Sequence, residues 1–126
     1  MTWVSVDIEA DGPIPGDYSM ISLGAVVIEP TLHNTFYGKL RPISDKFVSS
    51  ALAISGFSRK ETLKFDDPAT VMVLFDLWLK SGKRQETNKL YFVSDNNGFD
   101  WQFINWYFHH FLGSNPFGYS STNLGS

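Results

Sequence analysis

The sequence predicts an α/β domain with a mixed sheet, on three observations: a polar–apolar alternation opens the chain, two more strand-like runs follow closely, and helical patterns then flank one further strand. Val4, Val6 and Ile8 alternate with Ser5, Asp7 and Glu9, which marks a strand with one apolar face. The other face carries both carboxylates. Asp11-Gly12-Pro13-Ile14-Pro15-Gly16-Asp17 is dense in turn residues, and the apolar run 20–28 after it predicts a second strand, ended by Glu29-Pro30. Residues 35–41 alternate again, so a third strand follows through a short antiparallel connection.

Residues 47–54 suit a short helix, and Ser55-Gly56-Phe57-Ser58 a turn into another. Asp67-Pro68 is a helix start: the Asp side chain caps free N–H groups, and Pro at the first helical position gives up a donor that has no partner there anyway. Val71, Leu74, Phe75 and Trp78 then fall at helical spacing, and Gly82 supplies a stop, with Lys80, Lys83 and Arg84 near the negative end of the helix dipole. Leu90-Tyr91-Phe92-Val93 reads as a short buried strand and Asp95-Asn96-Asn97-Gly98 as a turn. Residues 99–112 read as a helix stopped by Gly113 and Pro116. No repeat or low-complexity segment interrupts this order.

A chain of 126 residues, 43% hydrophobic and 16% aromatic, can bury one core, so residues 1–126 are read as a single domain. There is no cysteine, which removes disulfides and thiolate zinc sites and leaves oxygen ligands suited to magnesium or manganese. The first residues lack the basic flank and apolar run of a signal peptide, and no stretch approaches the about 20 apolar residues of a membrane span. A soluble cytoplasmic protein is the expectation. The net charge of -3 argues against gripping nucleic acid through a bulk basic field, though not against holding the end of one strand. Arg59, Lys60 and Lys64 form one basic segment and Lys80, Lys83, Arg84 and Lys89 another; solvated surface is the ordinary reading of both, and guidance of phosphates the lesser one.

Asp7 and Glu9 lie two apart on a strand, which places both side chains on one face roughly 7 Å apart along the backbone. Such a pair is either polar surface or part of a metal site. Its position favours the second, because it closes a strand and opens into a Gly-rich loop, where sheet edges present ligands. Asp100 falls in the first turn of the last helix, as a carboxylate favoured by the helix dipole or as a third oxygen ligand.

Three segments carry a family resemblance. Val6-Asp7-Ile8-Glu9-Ala10-Asp11-Gly12 followed by Ile21-Ser22-Leu23-Gly24-Ala25-Val26 resembles the first motif of proofreading exonucleases and oligoribonucleases, the DEDD (DnaQ-like) superfamily. Ile54-Ser55-Gly56-Phe57-Ser58 is similar to the family's H-G-I-T segment with the histidine replaced, and Asn96-Asn97-Gly98-Phe99-Asp100 matches its N-A-x-F-D motif. The resemblance implies a ribonuclease-H-like three-layer fold and metal-dependent 3'-to-5' exonuclease activity on single-stranded DNA or RNA. Asp7, Glu9 and Asp100 are then ligands of a two-metal Mg²⁺ or Mn²⁺ site. Ala10, Asp11, Phe57 and Asn96 are candidates for holding the terminal nucleotide, with core packing the alternative for Phe57 and a turn role the alternative for Asn96.

The fourth acidic ligand of the family belongs to a third motif, H-x(4)-D or Y-x(3)-D, and no acidic residue follows Asp100. His109 and His110 read as ordinary helix positions. Ser121-Thr122-Asn123-Leu124 is similar to the stretch that precedes the third motif, so the expectation is a domain truncated before its C-terminal helices, with weak or absent activity of its own. A non-enzymatic interaction module with the same fold is the competing reading. The aromatic helix 99–112, lacking a neighbour, and the tail 115–126 would then drive a symmetric dimer.

Overall fold

Nine residues of alternating character, Thr2–Ala10, form β1, the central strand of the computed structural model, which describes residues 1–81 and 89–123. Val4, Val6, Ile8 and Ala10 are buried on one side, while Ser5, Asp7 and Glu9 face away from the core. The chain continues as β2 (Met20–Val27), β3 (Thr35–Lys39), α1 (Ser49–Ser55), α2 (Arg59–Thr62), α3 (Pro68–Leu79), β4 (Leu90–Ser94), α4 (Asn97–Leu112) and β5 (Thr122–Asn123). The sheet order is β3-β2-β1-β4-β5, antiparallel in its first two pairings and parallel in the last two. The expected mixed sheet is therefore formed.

β1 pairs with β2 along its length, with Asp7 opposite Gly24 and Glu9 opposite Ser22, and the register shifts between Glu9 and Ala10. Its pairing with β4 covers only Thr2 to Ser5. Beyond that point β4 parts from β1, and the gap between them receives the start of α4.

The core is built on the apolar face of β1 and β2, where Val71, Phe75 and Leu79 of α3 and Phe103, Ile104 and Tyr107 of α4 are buried. Phe75 stacks with Trp78 and Phe108 and tilts against Phe36 and Phe117. Asp67 caps α3 as expected, accepting from Thr70 N–H at 3.1 Å, and Pro68 opens the helix. The buried stripe of α3 differs from the expected one: Met72 and Leu79 are inside, and Leu74 is 52% exposed. The segment is apolar at nearly every position, so periodicity alone does not select its face. Gly82, Lys83 and Arg84 lie outside the described residues.

α4 also departs from expectation. Phe103, Ile104, Tyr107 and Phe108 are buried, and Trp101, Trp106 and Phe111 are half-buried, so none of its aromatic residues is fully open to water. The chain's own loops supply the cover. A Cβ built on Gly16 would stand 3.5 Å from the Trp106 ring, Gln102 Nε2 donates to the Pro13 carbonyl at 3.0 Å, and Phe117 packs edge-on against Phe92 and Phe108. Phe117 of the tail is itself buried, whereas Tyr119 is 96% exposed. Among the described residues no helix is long and apolar enough to cross a membrane.

Candidate active site

The outward face of β1 ends in a cleft of about 580 Å³. Asp7, Glu9 and Asp100 line it together with Val48, Ala51 and Ile54, and Ala10, Gly12, Pro13, Asn96 and Phe99 complete its walls. Each acid arrives for a local reason. Alternation puts Asp7 and Glu9 on the same face, and the helix that begins where β4 stops carries Asp100 in its first turn. Asp7 is exposed and Glu9 half-buried, and among the described residues neither carboxylate has an ion-pair or hydrogen-bond partner.

Asp100 is only 2% exposed. Its carboxylate accepts from the Ser94 hydroxyl and from the Ile8 backbone N–H, in the stretch of β1 that β4 has left. Burial is the main cause that pushes its pKa up to about 6; the Ser94 and Ile8 donors pull it down, and the charges of Asp7 and Glu9 push it further up. Burial and then the neighbouring Asp7 also raise Glu9 above the usual carboxylate range. The three acids thus interact electrostatically across one cleft.

Do they suit a divalent cation? Among the described residues no three carboxylate or imidazole side chains are drawn together into a closed ligand cluster. The donor chemistry nevertheless fits: two carboxylates without partners and a third that burial keeps near neutrality supply hard oxygen ligands to a single cleft. Mutual repulsion among such groups is what a cation would relieve.

The other expected residues separate into two sets. Ala10 and Asn96 line the cleft, and Asn96 N–H donates to Ser94 Oγ at 3.1 Å. Asp11 and Phe57 do not. The Asp11 carboxylate is fully buried, accepting from Ser19 N–H at 2.6 Å and pairing with Arg59 at 3.3 Å, so it cannot touch a nucleotide. Burial raises its pKa, against the lowering effects of Ser19 and Arg59. Phe57, half-buried, packs edge-on against Phe65, with ring centroids 5.1 Å apart, outside the main core. His109 and His110 are exposed on the last turn of α4, His110 stacked on Trp106. The apolar wall of Val48, Ala51 and Ile54 and the buried Ser94 were missed by sequence reasoning. Ile54, 82% exposed, opens the segment likened to H-G-I-T, and that likeness is the signal that could have pointed to the wall.

No protein-family model matches this chain. A protein of Escherichia coli named 3'-5' DNA exonuclease Cap18 is 45% identical over 127 aligned positions, a match that takes in 98% of this chain and 66% of that protein. The chain thus resembles the DEDD (DnaQ-like) exonucleases. Solved structures agree on the fold: the metal-free E. coli exonuclease I complex with single-stranded DNA superposes with a TM-score of 0.77 at 17% identity, over 98% of this chain and 28% of that one. Product-bound exonuclease I superposes with a TM-score of 0.74 at 17% identity, over 96% of this chain and 29% of that one. The chain therefore has the ribonuclease-H-like fold of these structures and spans 66% of the length of its curated relative.

Proposed function

We propose that this DEDD domain serves a 3'-to-5' exonuclease that removes nucleotides from the 3' end of single-stranded DNA with the help of Mg²⁺ or Mn²⁺. The observation that carries the reading is the meeting of Asp7 and Glu9 from β1 with Asp100 from α4 on one cleft whose opposite wall is apolar. A relative named as a DNA exonuclease, and neighbours in complex with single-stranded DNA, support DNA over RNA.

Asp7, Glu9 and Asp100 would hold the metal, which when bound polarises water and neutralises charge building on the phosphate. Val48, Ala51, Ile54 and Phe99 give the sugar and base of the last nucleotide an apolar surface and exclude water from that side. Burial raises the Asp100 pKa to about 6 because Ser94 and Ile8 stabilise the anion less than burial destabilises it, so the carboxyl keeps its proton only in mildly acidic solution.

The test is a 5'-labelled single-stranded DNA incubated with the protein and Mn²⁺. Slow stepwise shortening from the 3' end, abolished in Asp7→Ala, is the expected result. Internal cutting, or shortening that persists in Asp7→Ala, overturns the proposal.

A further inference from the structure

Asp11 follows directly on the strand that carries Asp7 and Glu9, and its side chain is sealed from water. A carboxylate in that position needs strong partners. Ser19 N–H supplies one at 2.6 Å and Arg59 Nη1 the other at 3.3 Å. The Arg59 fork reaches further: Nη2 donates to the Ser44 carbonyl at 2.9 Å, and the guanidinium lies 4.8 Å from the centre of the Phe47 ring. One side chain, 20% exposed, thereby joins the end of β1 to the segment that leads into α1. The Asp11 carbonyl makes the same connection, accepting from Val48 N–H at 2.8 Å.

Val48 is the N-cap of α1 and lines the cleft with Ala51 and Ile54. α1 has seven residues and no side-chain bond at its N-cap. A helix so short does not hold its own place in water, so its position depends on what anchors its start.

We infer that Arg59 is a positioning residue: by tying Asp11 to Ser44 and Phe47 it holds the apolar wall of α1 at its working distance from Asp7 and Glu9. The inference rests on the exonuclease reading for what that wall contacts, namely the terminal nucleotide. Arginine suits the task because a planar fork can serve a carboxylate and a carbonyl at once while its face rests on a ring. Lysine offers one point charge and can keep only part of the clamp.

The experiment compares wild type with Arg59→Met and Arg59→Lys in three measurements: amide hydrogen exchange, calorimetric Mn²⁺ binding, and binding of thymidine 5'-monophosphate in the presence of Mn²⁺. In Arg59→Met, amides of α1 are expected to exchange at least about tenfold faster while those of β1 and β2 keep their wild-type rates. The mononucleotide should bind about tenfold more weakly, with Mn²⁺ affinity held within about twofold. Arg59→Lys should fall between, and carries the same comparison if Arg59→Met does not fold. Unchanged α1 exchange, or exchange that rises equally in the sheet, overturns the clamp. So does equal loss of Mn²⁺ and mononucleotide. A wild type that binds Mn²⁺ but no mononucleotide overturns the nucleotide-seat reading, while the exchange measurement still decides whether Arg59 holds α1.

Discussion

The Ser94 hydroxyl at the end of β4 donates to the Asp100 carboxylate in the first turn of α4, so the strand that brings the acid to the cleft also solvates it. That single donor and the Ile8 N–H do not offset burial, which leaves the folded pKa at about 6 against an ordinary 3.8. The sign follows. Below the ordinary value both folded and unfolded chains hold the proton and nothing is lost; as pH rises through about 6 the folded chain must ionise a buried group and stability falls. Asp100→Asn in EDTA should therefore match wild type near pH 4 and exceed it at pH 8, by up to about 3 kcal/mol. Thermal melts at the two pH values check this, and an equal loss at both would refute it.

Metal binding should run the other way with pH. A cation must displace the proton on Asp100, so Mn²⁺ affinity is expected to strengthen by about tenfold from pH 5 to pH 7 and to level off above that. Calorimetry in buffers of different ionisation heat should register the released proton, and Asp7→Ala should weaken binding by at least about tenfold. Flat affinity across that range would mean that Asp100 is not a ligand.

Gly12 admits no side chain. A Cβ there would stand 2.1 Å from Tyr18 Cγ. Gly12→Ala should cost about 1–3 kcal/mol, the usual penalty of overpacking. Adding Tyr18→Ala should recover part of it, a coupling that a double-mutant cycle of denaturation free energies reads directly. Strictly additive losses would place the strain elsewhere.

On α3, Met72 and Leu74 should behave oppositely although they lie only two residues apart. Met72→Ala removes a fully buried side chain and should cost about 2–5 kcal/mol, whereas Leu74→Ala, half in water, should stay within about 0.5 kcal/mol. Urea titrations of the two variants decide it, and similar midpoints would contradict the observed face of the helix.

The contrast on α3 also shows which parts of the fold the sequence reveals. Alternation in β1 from Val4 onward is unambiguous, because one strand face receives Val4, Val6, Ile8 and Ala10 and the other both acids. α3 offers no such contrast, and its inward face is chosen by the sheet and by α4, which a sequence window does not contain. Ser58 and Glu61 form a capping box at the start of α2, a legible local signal that a loosely drawn turn concealed. Asp11 was misread for a different reason. A carboxylate within a run of Gly and Pro normally belongs to the surface, and its partner Arg59 lies 48 positions away. Burial of a charge depends on that distant pairing, so no local pattern announces it. Asp7, Glu9 and Asp100 could be singled out only as spaced segments of a family pattern, and the cleft that gathers them is made by the parting of β1 and β4.

β1 writes two messages in alternate letters, one read by the core and the other by the cleft. A one-residue insertion or deletion before Glu9 would exchange them, turning Asp7 and Glu9 into the packed interior and Val6 and Ile8 out to solvent. Point changes can be absorbed on one face at a time, but length changes cannot. Among the descendants of this gene, β1 should accumulate substitutions while its residue count stays constant, and sites of tolerated insertion should begin only in the turn beyond it.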